Sequence, residues 1–453
     1  MGLADRYDGR PMASHLPKLR FAAQTDVGQR RLANEDAYAI DPRMNLFVVC
    51  DGVGGRPSGE AASQIIANTL AHTLRRRLRG IRKLDESILK TLLIDAVVSM
   101  NQQLYAHSQP VPALTGMGCT LVAALFDARS AFYVHAGDSR LYLLRAGKLR
   151  PLTADHTHTR QTFQAETETG DLIDVGERRL LTQYLGTSRE LEPTAASLPL
   201  QVGDRLLLCS DGLTDPVNDE VIRHLLRRHE HPAEASQALI NAANQRGGPD
   251  NITVAVIDYA GLRRVTDDDR LPPRPKPQSP QGIAERTRQA LAALEQDLIW
   301  LKQGALESAH PTRLTALAAA KRRLGGEAFR QFLSRDPNQS PSHVFHQCCA
   351  HPDSPWRQQY QGHLSTLEES LNRIMAGDIR LSPLLWPEQT SAIYRELWRS
   401  WRNVEQRYFA NCQHGSHHES DQTLNILIDH MLHSVQTITG LLYFLPRFMR
   451  QSA

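Results

Sequence analysis

Two apolar runs stand close together in residues 120–137, which read TLVAALFDARSAFYVHAG. The first run covers residues 120–125 and the second covers residues 131–134, and both have the length and composition of buried strands. Only about four residues, Asp127 to Ser130, separate them. That spacing is typical of a hairpin, so we expect a sheet that is at least partly antiparallel rather than a doubly wound parallel sheet.

The rest of the first half of the chain alternates strand and helix signals. Further strands are predicted at residues 46–50, 206–209 and 252–257. Helical spacing of apolar residues predicts two helices, at residues 58–79 and 85–107, and Ser58 and Glu60 are typical of a helix start.

Composition limits the class of protein. The 453 residues are 41% hydrophobic, and 52 Lys and Arg against 49 Asp and Glu give a net charge of +3. This near balance does not favour a nucleic-acid partner. The N-terminus lacks the apolar core of a signal peptide, and the apolar stretch 431–445 is too short to span a membrane. The six Cys do not form a disulfide framework, so we expect a cytoplasmic protein.

A proline-rich stretch divides the chain. Residues 272–280 carry five prolines, which favours an extended linker. We therefore predict four segments: an N-terminal extension (1–18), a mixed α/β domain (19–262), a Pro-rich linker (263–280) and an all-α domain (281–453).

The last segment reads as helices. Leu291, Leu294, Leu298, Leu301 and Ala305 repeat every three or four residues, and two heptads favour a helical hairpin or bundle over a coiled coil. Other amphipathic stretches lie at residues 313–333, 358–376, 388–411 and 421–445.

Two features of this segment leave alternatives open. The aromatic residues between 394 and 408 are expected in the helical core, the alternative being an exposed partner surface. Two groups of His and Cys, at residues 343–351 and 412–418, are expected to be core thiols and loop histidines. A zinc site built from both groups is the alternative, because each could supply two ligands.

Aspartates stand beside glycines where the predicted strands end. Asp51, Asp138 and Asp211 each follow an apolar run, Asp250 precedes one, and Glu35-Asp36 precedes a short strand. A single Asp-Gly pair usually marks a turn. Several carboxylates delivered to one sheet edge, however, need solvent or a cation to offset their charge. Oxygen ligands without His or Cys select Mg²⁺ or Mn²⁺ over Zn²⁺.

The order of these motifs resembles the bacterial branch of the metal-dependent protein phosphatase 2C family. The resemblance covers residues 19–259 and leaves the helical segment uncovered. It is carried by seven motifs: Gly28-x-x-Arg31-x-x-Asn34-Glu35-Asp36, Asp51-Gly52-Val53-Gly54-Gly55, Gly137-Asp138-Ser139-Arg140, Leu152-Thr153-Ala154-Asp155-His156, Leu181-Thr182-Gln183-Tyr184-Leu185-Gly186, Ser210-Asp211-Gly212-Leu213 and Gly248-Pro249-Asp250-Asn251-Ile252-Thr253.

The resemblance implies an α+β fold: two packed antiparallel sheets flanked by helix pairs, with a metal centre at one end of the sandwich. It implies two or three Mn²⁺ or Mg²⁺ ions. Asp51 resembles the carboxylate that bridges two ions, and the Gly52 carbonyl resembles a ligand of one of them. Asp211 and Asp250 resemble the other ligands of the second ion.

The resemblance also implies the remaining site residues. Glu35 and Asp36 resemble the pair that holds water molecules bound to the metals, and Asp138 resembles a ligand of a weaker third ion. Arg31 resembles the arginine that binds phosphate, and its planar guanidinium suits two phosphate oxygens. Arg31, Asp36 and Asp51 are the implied catalytic residues.

Two departures from the family pattern affect substrate chemistry. Position 53 is Val, where animal members carry a His that is regarded as a general acid, so no side chain is assigned to protonate the leaving group. The flap, residues 155–180, diverges from the usual helical form.

The resemblance implies hydrolysis of phosphoserine and phosphothreonine in proteins by a metal-activated water, in opposition to a Ser/Thr kinase. One alternative is a pseudophosphatase that binds phosphoproteins without turnover; the intact set of aspartates argues against it. Another makes the phosphatase the output of a helical sensor or scaffold. We expect residues 281–453 to be a regulatory or partner-binding domain that binds a partner protein or a second copy of the chain.

Overall fold

The computed structural model describes residues 15–53, 57–78, 85–110, 114–160, 164–166, 172–174, 178–264, 281–308, 323–324, 341–352, 354–375, 387–413 and 418–451. The chain forms two compact units, and the division lies between residues 275 and 276. β structure in the first unit begins at His15 and ends at Arg264, a few residues outside the predicted bounds 19 and 262.

The described part of the first unit contains sixteen strands and five helices. The strands are β1 (His15–Asp26), β2 (Ala37–Asp41), β3 (Leu46–Cys50), β4 (Gly52–Val53), β5 (Gly118–Cys119), β6 (Leu121–Phe126), β7 (Ser130–Ala136), β8 (Arg140–Arg145), β9 (Lys148–Pro151), β10 (Thr157–Arg160), β11 (Gln164–Glu166), β12 (Leu172–Asp174), β13 (Arg178–Leu181), β14 (Thr194–Pro199), β15 (Arg205–Cys209) and β16 (Ile252–Arg264). The helices are α1 (Pro57–Leu78), α2 (Glu86–Ser108), α3 (Asp211–Thr214), α4 (Asp219–Arg228) and α5 (Pro232–Gln245).

Two five-stranded sheets form the centre of the first unit. Their strand orders are β1-β16-β15-β8-β9 and β14-β7-β6-β3-β2. Every pairing within them is antiparallel. The predicted hairpin is confirmed, since β6 pairs with β7 from Leu121↔Ala136 to Phe126↔Ala131.

The two sheets pack face to face through one apolar layer. Phe47 and Val122 of one sheet and Leu206 and Ile257 of the other belong to the same buried cluster. Helices cover the outer faces: α1 and α2 contact β2, β3, β7 and β14, whereas α4 and α5 contact β1, β9 and β16. The predicted fold class, two antiparallel sheets flanked by helix pairs, is therefore confirmed.

The antiparallel order brings several strand ends to one edge. β15 ends at Cys209 opposite Val254, near the start of β16. β3 ends at Cys50 opposite Ala37, the first residue of β2. The residues that follow one strand therefore meet the residues that precede its neighbour, which places Asp51 near Asp36 and Asp211 near Asp250.

The described residues of the second unit are almost entirely helical. The helices are α6 (Gln281–Ser308), α7 (Pro341–Ala350), α8 (Pro355–Met375), α9 (Pro387–Gln413) and α10 (His418–Gln451). The predicted amphipathic stretch 313–333 lies outside the described residues apart from 323 and 324. Among the described helices, none combines the length and the apolar character that crossing a bilayer would require.

The core of this unit contains the predicted stripes. Every member of the leucine stripe on α6 is fully buried. Tyr394, Trp398, Trp401 and Tyr408 on α9 are all at most 8% exposed, which confirms the core interpretation over an exposed partner surface.

The described part of the chain offers no support for the zinc alternative. All six Cys are buried and free. No described group of three or more His, Cys, Asp or Glu side chains could hold a metal as it stands, and His346 Nδ1 instead lies 3.0 Å from the Tyr408 hydroxyl. Residues 414–417 of the second His/Cys group lie outside the described residues.

Candidate active site

Four of the predicted carboxylates meet at the edge where these strands end. Asp51 follows β3, Asp36 precedes β2, Asp211 begins α3 directly after β15, and Asp250 lies two residues before β16. Asp36 is only 3% exposed. Each of the four acids acts electrostatically on others of the group, so they form one cluster of like charge.

Burial and mutual repulsion make ionisation of this cluster unfavourable. Burial raises the pKa of Asp36 to about 7 and the pKa of Asp211 to about 6, and repulsion from Asp250 adds to both shifts. Burial, followed by repulsion from Asp36 and Asp211, raises the pKa of Asp51 well above its ordinary value. Without a cation, the cluster therefore retains protons near neutral pH.

Three contacts offset part of this charge. The carboxyl groups of Asp51 and Asp211 are hydrogen-bonded to each other. Arg31 Nη2 donates to Asp250 Oδ2 at 2.6 Å. Ser210 Oγ donates to Asp36 Oδ2 at 2.7 Å. Asp36 Oδ1 and Asp211 Oδ1 remain buried without a hydrogen bond to any described residue.

Asp138 lies beside the cluster, in the turn between β7 and β8. Burial, followed by repulsion from Asp211, raises the pKa of Asp138 to about 7. The next residue, Ser139, shares a 2.7 Å hydrogen bond with Thr120 Oγ1, which also accepts from the Asp51 backbone N–H at 3.0 Å. A short polar chain therefore connects the Asp138 turn to the backbone of Asp51.

Glu35 and Gly52 meet through their backbones. The Gly52 N–H donates to the Glu35 carbonyl at 3.1 Å. A Cβ on Gly52 would lie 2.6 Å from that carbonyl oxygen and 2.5 Å from the Gly59 carbonyl carbon, and a Cβ on Gly59 would lie 2.3 Å from Glu35 Oε2. Glycine is therefore required where β4, Glu35 and the start of α1 come together.

Asn251 joins the two loops that carry the cluster. Its side-chain oxygen accepts from the Glu35 N–H at 2.8 Å, and its amide group donates to the Val27 and Ala33 carbonyls, each at 2.9 Å. A Cβ on Gly212 would lie 1.8 Å from the Asn251 carbonyl oxygen, so the loop after β15 packs directly on the same residue.

Sequence reasoning missed the supporting roles of Thr120, Ser139, Ser210 and Asn251. The last three stand next to a predicted carboxylate in the same motif, and that adjacency is the signal that could have identified them. All four are at most 3% exposed. Buried polar side chains need partners, and here the partners are the site itself.

The donor set suits hard divalent cations. It consists of carboxylates, and two buried carboxylate oxygens lack a donor, which is the environment a cation would satisfy. As noted above, no described group of side chains is gathered closely enough to hold a metal as it stands. Binding would require Arg31 to leave Asp250 and the hydrogen bond between Asp51 and Asp211 to break.

The two departures from the family pattern, Val53 and part of the flap, lie in described parts of the fold. Val53 is half-buried in β4, which pairs with β5. In the flap region, the described residues form two short antiparallel ribbons, β10 with β13 and β11 with β12. At the flap base, the rings of His135 and His156 stack at 4.6 Å.

Known proteins match the first half of the chain. The family model described as protein phosphatase 2C matches residues 25–245. The serine/threonine protein phosphatase PstP of Mycobacterium tuberculosis is 40% identical over 53% of this chain and 45% of its own length. The chain therefore spans about half the length of that relative. The serine/threonine phosphatase stp of Listeria welshimeri is 31% identical over 54% of this chain and 97% of its own length.

One solved structure is of the catalytic domain of a phosphatase PstP in complex with two manganese ions. It is 38% identical, covers 54% of this chain and 99% of its own, and has a TM-score of 0.43.

Replacing Asn251 with Ala should destabilise the first unit by about 2–4 kcal/mol, because one buried N–H and two carbonyls lose their partner. Urea denaturation followed by circular dichroism measures this change. The control is Asn241→Ala on α5, an exposed side chain that should change stability by less than about 0.5 kcal/mol. Equal effects of both substitutions would contradict the proposed support.

Proposed function

This chain belongs to the protein phosphatase 2C family, and from that premise we propose that its first unit hydrolyses phosphoserine and phosphothreonine in proteins. The observation that supports this proposal most directly is that Asp36, Asp51, Asp211 and Asp250 meet at one edge, where the strands end. A cluster of like charge is costly unless cations occupy it. We propose that two or three Mn²⁺ or Mg²⁺ ions do so.

The position of each residue suggests its role in the proposed metal centre. Asp51, Asp211 and Asp250, with the Gly52 carbonyl, are the proposed ligands of the two principal ions, and Asp138 is the proposed ligand of a third. When bound, the ions supply Lewis acidity that activates water and offsets phosphoryl charge. Thr120 and Asn251 hold the backbones that carry these ligands.

Glu35 and Asp36 are proposed to orient water at the centre. Ser210 fixes one oxygen of Asp36 and leaves the other, buried oxygen available as an acceptor. An ionised acceptor of this kind can align a water molecule for attack on phosphorus.

Arg31 is the proposed phosphate-binding residue. Its guanidinium is 46% exposed and holds Asp250 through one N–H donor. If Asp250 is held as a metal ligand, the planar guanidinium of Arg31 would be free to bind two phosphoryl oxygens. Arg31 would then hold the substrate and offset charge that develops on it.

We propose that the helical unit regulates this activity by binding a partner protein or a second copy of the chain. It has its own buried core on α6 and α9, whereas the carboxylate cluster belongs to the first unit. The proposed substrates are products of a Ser/Thr kinase.

Substitution of the ligands tests the proposed function. Asp51→Asn and Asp211→Asn should each lower turnover of an aryl phosphate and a phosphoserine peptide by about 100-fold or more, because each removes charge from the metal positions. Arg31→Ala should raise KM about tenfold with a smaller loss of kcat. Asp95→Asn, an exposed position on α2, is the matched control. Full activity in excess EDTA, or in Asp211→Asn at saturating Mn²⁺, would overturn the assignment.

Mn²⁺ affinity should weaken as the pH falls. Asp36 and Asp211 have pKa values raised to about 7 and about 6, so below these values a cation must displace protons. Calorimetric titration of the metal-free chain should show at least about tenfold weaker binding at pH 5.5 than at pH 8.

The same pKa shifts affect stability in the opposite direction. A carboxyl group with a raised pKa contributes stability at low pH that is lost as the pH rises through its folded value. This cluster should therefore lower the melting temperature of the metal-free chain between pH 5 and 8, and Mn²⁺ should restore it at pH 8. Asp36→Asn should reduce the pH effect; an unchanged profile would contradict the pKa argument.

Deleting residues 281–453 should separate chemistry from regulation. Because the carboxylate cluster lies in the first unit, hydrolysis of a small aryl phosphate should stay within a few-fold of the full chain. Activity on the protein substrate should change. Residues 281–453 alone should show a helical circular dichroism spectrum. Loss of small-substrate turnover on deletion would make this segment part of the catalytic domain.

A further inference from the structure

Arg357 occupies an unusual position in the helical unit. It lies in the first turn of α8, and its guanidinium stacks over the Phe409 ring of α9 with Cζ 3.2 Å from the ring centroid. Its backbone N–H donates a hydrogen bond to Ser354 Oγ at 3.0 Å. Within the part of the chain that the structure describes, its side chain donates no hydrogen bond, and Nη1 is buried without a partner.

The neighbouring acid does not satisfy this guanidinium. Glu405 is the carboxylate that acts on Arg357 electrostatically. Its Oε1 accepts from the Tyr360 hydroxyl at 2.9 Å, and its Oε2 accepts from Arg402 Nη1 at 2.5 Å. Among the described residues, Glu405 therefore acts on two arginines but is hydrogen-bonded only to Arg402.

Arg357 is poorly explained as a stabilising residue. Burial lowers the pKa of Arg357, because the cost of desolvating its charge exceeds the attraction of Glu405. A cation in the first turn also opposes the helix dipole. An unmatched buried donor calls for a missing partner, and the arginine fork is built to receive an oxyanion in its own plane.

A cavity opens beside this guanidinium. Its volume is about 500 Å³, within the range that small organic ligands occupy. It combines one cation, two side-chain amides and an apolar surface, contributed by Ala350, Pro352, Arg357, Gln358, Gln361 and Phe409.

We propose that this cavity binds a small organic anion that carries a single carboxylate or phosphate group. The oxyanion would pair with the in-plane donors of Arg357. Gln358 and Gln361 would donate to or accept from its polar substituents, and its carbon skeleton would contact Ala350, Pro352 and the edge of Phe409. Stacking on Phe409 holds the guanidinium plane in place before the anion arrives, so little order has to be created on binding.

Calorimetric titration of the full chain in EDTA tests this site without contribution from metals at the carboxylate cluster. The probes are benzoate and phenylphosphonate, with neutral benzamide as the isosteric control. One or both anions should bind with a Kd of about 1 mM or tighter, and benzamide should bind at least about tenfold more weakly. Binding of benzoate alone would identify a carboxylate site, and binding of phenylphosphonate alone a phosphate site.

Variants assign the binding to Arg357. Arg357→Gln should weaken anion binding at least about tenfold, whereas Arg399→Gln, an exposed arginine on α9, should leave it within about twofold. Where circular dichroism shows that Arg357→Gln does not fold, Arg357→Lys replaces it and should also weaken binding, because the planar fork is lost.

The Trp356 ring lies 6.4 Å from the Phe409 ring, which lines the cavity, so its fluorescence should change on binding in the wild type. Three results would overturn the proposal: no anion binding with a Kd of about 1 mM or tighter, equal binding of benzamide, or unchanged affinity in the Arg357 variants.

Discussion

Like charges confined to a buried edge are the constraint from which the first unit is best understood. Asp36, Asp51, Asp211 and Asp250 cannot all ionise without a counter-charge. Three contacts offset part of the charge: a hydrogen bond between the carboxyl groups of Asp51 and Asp211, an arginine on Asp250 and a hydroxyl on Asp36. Each of these contacts is a hydrogen bond or ion pair that can break, so the carboxylates can exchange these partners for a cation.

The surrounding architecture keeps this cluster in place despite its repulsion. The carboxylates lie just beyond the ends of β2, β3, β15 and β16. Apolar side chains of β3, β15 and β16 lie in the layer between the sheets. Asn251 and Thr120 then tie the connecting loops to those strands. Carboxylates that repel one another must be held by a rigid scaffold, and burial of the apolar core supplies the free energy that stabilises this scaffold.

Sequence patterns predicted the elements whose side chains are buried throughout. The runs at β3, β6 and β15 are fully buried, and each was identified from its apolar composition. The strands β1, β9 and β14 were not, because solvent reaches many of their side chains and the apolar signal is weak. The helix α7 was missed for a related reason, since its ten residues span fewer than three turns.

In the site, too, features encoded by neighbouring residues were predicted, whereas contacts between residues distant in the sequence were not. The carboxylates were identified because each stands beside a predicted strand. The Ser210–Asp36 and Arg31–Asp250 contacts join residues 174 and 219 positions apart. Only the register between distant strands creates such pairs, and no short motif encodes that register.

The pairing of β1 with β16 has a consequence for how the protein is made. These strands pair from His15↔Arg264 to Asp26↔Ile252, so the first unit is closed by contacts between residues 226 to 249 positions apart. Contacts of such long range fold slowly, because loop closure costs entropy before any pairing is gained. The sheet cannot close until residue 264 has been synthesised. Synthesis of residues 265–453 then takes roughly 10–40 s at about 5–20 residues per second, which gives this sheet time to form before the helical unit is complete.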